Sequence, residues 1–147
     1  MKIVRTAPAA VSALLVVWTT LAGPSPLSAQ TPALSCSASQ RPRQVAELLF
    51  GRDIGRRVGV SDKAWARFVA RELTPRFPDG LTVTDAAGQW RDPASGTIVH
   101  EPTKRVEIVL PGNADDTARL DAVAQAYKRE FRQQSVAVIV RPACVSF

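Results

Sequence analysis

Apolar positions along the chain change their period in a way that marks a succession of strands and helices. Val45 to Phe50 is a short apolar run ended by Gly51, of strand length and too short for a helix. Ser61-Asp62 then offers a helix N-cap, after which Trp65, Phe68, Val69 and Leu73 recur at helical spacing until Pro75. Leu81 to Asp92 and Thr97 to Leu110 alternate or carry β-branched residues, and Pro93-Ala94-Ser95-Gly96 between them has the composition of a turn. The two form a long hairpin. Asp115 or Asp116 caps a second helix whose Leu120, Val123, Tyr127 and Phe131 share one stripe, and Ser135 to Arg141 is a closing Val-rich strand. The order βαββαβ predicts an α+β domain of the split βαβ, or ferredoxin-like, arrangement: a four-stranded antiparallel sheet with both helices on one face. In that arrangement the last strand lies antiparallel beside the first.

Pairing the hairpin about Pro93 to Gly96 sets Asp92 opposite Thr97, Trp90 opposite Val99, Asp85 opposite Lys104 and Val83 opposite Val106. Leu81, Val83, Val106, Ile108 and Leu110 then face the helices, while Thr82, Thr84, Arg105 and Glu107 point away. Twelve residues of strand extend about 40 Å, whereas a helix of about 14 residues covers about 21 Å. The distal half of the hairpin therefore overhangs, unless a bulge near Ala86 to Gly88 folds it back. Gln89, Trp90, Arg91, His100 and Glu101 sit on that arm and are the candidate ligand or partner surface. On the outer strands the same alternation places Leu48, Phe50, Val136, Val138 and Val140 in the core and turns Val45, Leu49 and Ile139 outward. With Val99 and Val109 these outward residues form an apolar patch that a soluble monomer rarely leaves bare, so a homodimer through the open sheet face is expected. The rival cover is the polar segment from Thr31 to Pro42.

The first 29 residues change the picture of where the protein works. Lys2 and Arg5 precede an apolar run from Val11 to Gly23, and Leu27-Ser28-Ala29 offers a cleavage site, the pattern of a secretory signal. The run is shorter than the ~20 residues needed to span a bilayer. The expected organisation is a signal peptide at 1–29, a polar linker or N-terminal arm at 30–42 and the α+β domain at 43–147, with export to the periplasm or the extracellular space. Export makes a disulfide the expected state of the only two cysteines, Cys36 and Cys144, because an oxidising compartment favours pairing. The βαββαβ topology brings both to one edge of the domain.

Composition and charge narrow the chemistry. At 46% hydrophobic and 22% charged residues the chain is that of an ordinary globular protein. The formal net charge is +6, yet Lys2 and Arg5 belong to the leader, and the other basic residues are spread from Arg41 to Arg141 among carboxylates. A nucleic-acid binder would gather them on one stripe, so no nucleic-acid partner is expected. His100 is the only histidine, so no metal cluster is expected, and neither a Gly-x-Ser-x-Gly elbow nor a Walker-type loop is present; no cofactor is implied. Gly51 to Gly59 is a basic, glycine-rich segment that could cradle an anion, although Asp53 and Asp62 argue for a plain solvated connection. If the arm is catalytic, Glu101 or His100 is the general base and Arg76 or Arg91 the anion holder. The leading expectation is a non-enzymatic binding or assembly module, with a small enzyme or small-ligand-binding protein as the alternative.

Pro75-Arg76-Phe77-Pro78-Asp79-Gly80-Leu81-Thr82-Val83, followed by Asp85, Gly88, Gln89, Trp90 and Arg91, resembles the bacterial family catalogued as domain of unknown function 3574. Phe50-Gly51-Arg52, Glu101-Pro102 and the ending Pro142-Ala143-Cys144-Val145-Ser146-Phe147 extend the resemblance over nearly all of the chain after the leader. It implies a small exported bacterial protein and names no catalytic residue.

Overall fold

Alternation of Ala46, Leu48 and Phe50 with Val45, Glu47 and Leu49 gives strand β1 (Arg41–Gly51) one face for the core. In the computed structural model, which describes residues 34–55 and 57–147, this strand lies inside a four-stranded antiparallel sheet. The expected signal peptide lies outside the described residues. Two short strands, β2 (Asp53–Ile54) and β3 (Arg57–Val58), pair with each other apart from the main sheet. Helix α1 (Asp62–Phe68) follows, then the hairpin β4 (Thr82–Arg91) and β5 (Ile98–Leu110), helix α2 (Asp116–Phe131) and β6 (Ala137–Val145). The strand order is β4-β5-β1-β6, so the first and last main strands are neighbours as expected. No helix among the described residues is long and apolar enough to cross a membrane.

Local chemistry explains the helix ends. The Ser61 hydroxyl accepts the Ala64 N–H at 3.2 Å, the bond an N-cap makes. After Phe68 the helix widens into a π turn over Val69–Leu73, closed by the Thr74 N–H donating to the Val69 carbonyl. At the start of α2 the Asp116 carboxylate accepts the N–H groups of Gly112 and Asn113, both at 2.9 Å, and so fixes the turn that delivers the chain to the helix. Arg132, in the left-handed conformation, ends it.

One apolar cluster joins the even-numbered face of the central strands to both helices. Ala46, Leu48, Phe50, Val106, Ile108 and Leu110 meet Trp65, Phe68, Leu73, Leu120, Val123, Tyr127 and Phe131. Its centre is aromatic, with the Tyr127 ring 4.8 Å from Phe50 and 5.0 Å from Phe68 in edge-on contacts. The Tyr127 hydroxyl donates to the Gly51 carbonyl at 2.8 Å, tying α2 to the end of β1.

Three expectations change. Val138 and Val140 oppose Leu48 and Ala46 in register, yet they are 36% and 49% exposed, and Val83 on β4 is 36% exposed. The reason is position: β6 and β4 are edge strands with a neighbour on one side only, and full burial is confined to the central pair. The paired strands are also longer than expected. β1 begins at Arg41 and β6 runs to Val145, pairing Arg41 with Val145 and Gln44 with Pro142 through residues that show no strand alternation. The polar arm therefore ends inside the sheet, and the Cys36–Cys144 disulfide closes just beyond it, with Cα atoms 5.4 Å apart. Finally, Gly51 to Gly59 is not a plain connection, because it folds into the β2–β3 hairpin with Gly55 at φ 70° in the turn.

Candidate functional site

The β4–β5 register runs unbroken from Thr82 opposite Glu107 to Arg91 opposite Ile98, including the expected pairs Val83–Val106, Asp85–Lys104 and Trp90–Val99. The Asp92 N–H donates to the Thr97 carbonyl at 2.9 Å across the turn. No bulge folds the arm back, and Gln89, Arg91, Ile98 and His100 stand exposed along it.

Two remote segments come up beside this arm. The chain leaving β1 turns at Gly51 into β2, and the turn after α2 brings Gln133 within reach of it; the Gln133 side-chain amide donates to the Asp53 carbonyl at 2.6 Å. Between these segments and the arm lies an open cleft of about 880 Å³, with Leu49, Asp53, Trp90, Ile98, Glu101 and Gln133 among its lining residues. Such volumes accommodate small molecules.

Glu101 is the chemical centre of the cleft. Its carboxylate lies over Gly51 so closely that a Cβ there would meet Oε2 at 2.5 Å. Gly88, directly opposite Glu101, likewise leaves room for the neighbouring Thr103 hydroxyl, which a Cβ would meet at 2.5 Å. The Asp53 N–H donates to Glu101 Oε2 at 3.3 Å. Burial pushes the Glu101 carboxyl above the ordinary glutamate range; the Asp53 N–H opposes this, the nearby Asp53 carboxylate adds to it, and a hydrogen bond from the Trp90 side chain opposes it.

Two cations close in sequence to Asp53 and Glu101 are engaged elsewhere. Lys104 pairs with Asp85 and, at 3.6 Å, with Asp62, while Arg52 reaches Asp62 at 3.0 Å and the Val60 carbonyl at 2.8 Å. Of the described residues of the glycine-rich segment, Gly51, Asp53 and Gly55 line the cleft, and Asp53 brings a carboxylate to it. Asp53 Oδ1 is buried with no hydrogen-bond partner.

Of the residues expected on the arm, Gln89, Trp90, His100 and Glu101 line the cleft and Arg91 does not. Arg76 is not in the lining either; its guanidinium is held by the Glu72 carbonyl at 2.8 Å and the Glu72 carboxylate at 2.9 Å. The arginine expected to hold an anion is thus absent from the lining in both cases. Gln133 and Gly88 are no candidates from the sequence, and Gly51 and Asp53 enter it only within the glycine-rich segment, since nothing local marks any of them as partners of the arm. Among the described residues no group of three or more His, Cys, Asp or Glu is placed to hold a metal ion.

The open face of the sheet differs from the expected apolar patch. Val45, Leu49 and Ile139 do alternate with the core positions, but Val45 is 6% exposed while Ile139 is 45% exposed. Between them the Glu47 carboxylate accepts from Arg105 at 2.9 Å and Arg141 at 3.2 Å, and Arg141 also donates to Glu107 at 3.1 Å. A charged lattice divides the patch. The two guanidiniums hold the Glu47 carboxyl below the ordinary range, chiefly through the Arg105 hydrogen bond.

Comparison with known proteins adds a family and a fold. A family model described as a protein of unknown function, DUF3574, matches residues 45–147. Among curated proteins none matches the sequence at a significant level. Among solved structures, a phage SAM lyase in complex with S-methyl-5′-thioadenosine superposes with a TM-score of 0.58 at 16% identity, covering 80% of this chain and 97% of that one. The same enzyme in its apo state gives 0.56 at 15% identity, covering 79% and 97%. CutA from Synechococcus elongatus gives 0.47 at 11% identity over 71% and 80%. These likenesses concern the fold.

Proposed function

The chain belongs to the DUF3574 family of proteins of unknown function, and from that premise we propose that it is an exported binding module that takes a small molecule in the hairpin cleft. The observation that carries this reading is the Glu101 carboxyl, raised by burial and laid over Gly51 in an open cleft beside Trp90. The Asp53 N–H and the Trp90 side chain engage the Glu101 carboxylate without filling its acceptor positions. A ligand donor between Glu101 and Asp53 satisfies both carboxylates. The strand order supports assignment to the ferredoxin-like arrangement, and a fold of similar kind holds S-methyl-5′-thioadenosine in the phage SAM lyase. Export is supported by the leader pattern and by the disulfide.

Native mass spectrometry of protein purified from periplasm tests the proposal. A retained small molecule that is lost in Glu101→Gln supports it. Bare protein, together with no chemical-shift response of the Trp90 indole to a small-molecule library, would overturn it.

Self-association is a second reading, favoured by three consecutive exposed apolar residues on the edge strand β6, Val138, Ile139 and Val140. Light scattering should then report a dimer at micromolar concentration and a folded monomer for Ile139→Asp. A monomer for the unmodified protein removes this reading.

A further inference from the structure

The charge of the cleft is opposite to the charge of the chain. Formal net charge is +6 overall, but among the described residues the cleft is lined by the carboxylates of Asp53, Asp92 and Glu101 against one guanidinium, Arg132, and the imidazole of His100. Asp92 is already used, since its carboxylate accepts the Ala94 N–H at 2.9 Å within the hairpin turn. Asp53 and Glu101 have no ion-pair partner among the described residues, and Asp53 Oδ1 is buried without a donor. Arg52, next to Asp53 in the chain, is committed to Asp62, and Lys104, on the same strand as Glu101, to Asp85 and Asp62. The rest of the wall is apolar or aromatic, with Trp90, Leu49, Ile98 and Val99. Two carboxylates without an ion-pair partner among the described residues favour a positive charge, and an aromatic ring offers a quadrupole to the same charge.

Resting on the reading of the cleft as a ligand site, we infer that its ligand is a small organic cation with an apolar body, its charge facing the Asp53 and Glu101 carboxylates and its body lying against Trp90. An inorganic cation fits poorly, because the lining supplies too few oxygen ligands and much apolar surface. An anion meets two carboxylates and one exposed arginine.

The test is a titration of the purified protein with three probes of similar size and different charge: phenyltrimethylammonium, neutral N,N-dimethylaniline and benzoate. The Trp90 indole N–H resonance is followed at pH 7.5. The expected result is binding of the cation at least tenfold tighter than the neutral probe and no response to benzoate. In Glu101→Gln and Asp53→Asn that preference shrinks while the dispersion of the amide spectrum is unchanged, which separates loss of charge from loss of fold. Equal affinity for all three probes, or a preference for benzoate, overturns the cationic class and leaves the cleft standing as a ligand site. No response of Trp90 to any probe overturns both.

Discussion

Two glutamates on neighbouring strands sit in opposite electrostatic surroundings, and their pH behaviour should differ in sign. Glu101 is raised above its ordinary value of 4.5, chiefly by burial, so the folded state prefers it neutral and its ionisation opposes folding. Stability should fall as pH rises from 4.5 through the folded value. Glu101→Gln is therefore expected to raise the denaturation midpoint at pH 7 and to leave it unchanged below 4.5. Glu47 is lowered, chiefly by its hydrogen bond from Arg105, so its contribution is present above 4.5 and is lost as pH falls through the folded value. Glu47→Gln should lower the midpoint at pH 7 and converge with the unmodified protein in acid. Thermal denaturation across this range checks both, and two curves displaced in the same direction would contradict the assignment. Gly51→Ala makes a third case. The new Cβ meets only the far end of the Glu101 side chain, so the fold should tolerate it at a cost of about 1 kcal/mol. The carboxylate must move, and the protection of the Asp53 N–H against hydrogen exchange should drop.

At the scale of elements, helix α1 has seven residues before its π turn, short enough that its cap matters. Ser61→Ala should cost about 1 kcal/mol, read as a lower urea midpoint with an unchanged slope. The hairpin shows what was legible beforehand. Its register could be read because the turn at Pro93 to Gly96 fixes the pairing and alternation does the rest. The outer stretches of β1 and β6 could not, because Arg41 to Gln44 and Pro142 to Cys144 pair through their backbones while their side chains give no periodic signal. Two-residue strands such as β2 and β3 have no period to detect. The site divides along the same line. Trp90, His100 and Glu101 were visible as residues on an overhanging arm, whereas Asp53 and Gln133 reach it from segments 48 residues before Glu101 and 80 residues after Asp53. Only tertiary structure brings such positions together.

For the whole molecule, the Cys36–Cys144 disulfide closes a loop of 108 residues. Chain-entropy arguments put the stabilisation at up to about 4.7 kcal/mol, acting on the unfolded state. Replacing both cysteines by serine should lower stability toward that figure, and the urea slope should increase because the unfolded chain expands. An unchanged slope would place the effect in the folded state instead. The same bond has a topological consequence. Positions 36 and 144 stand 5.4 Å apart, a gap that two or three residues of peptide can span. The domain is thus almost a closed ring of chain, and its order of synthesis can be rewritten. A circular permutant joined between those positions and opened in the exposed turn at Pro93 to Gly96 should fold to the same sheet, with the new peptide doing the work of the sulfur bridge. Its stability would then no longer respond to reducing agent, which makes the folded state portable to a reducing compartment.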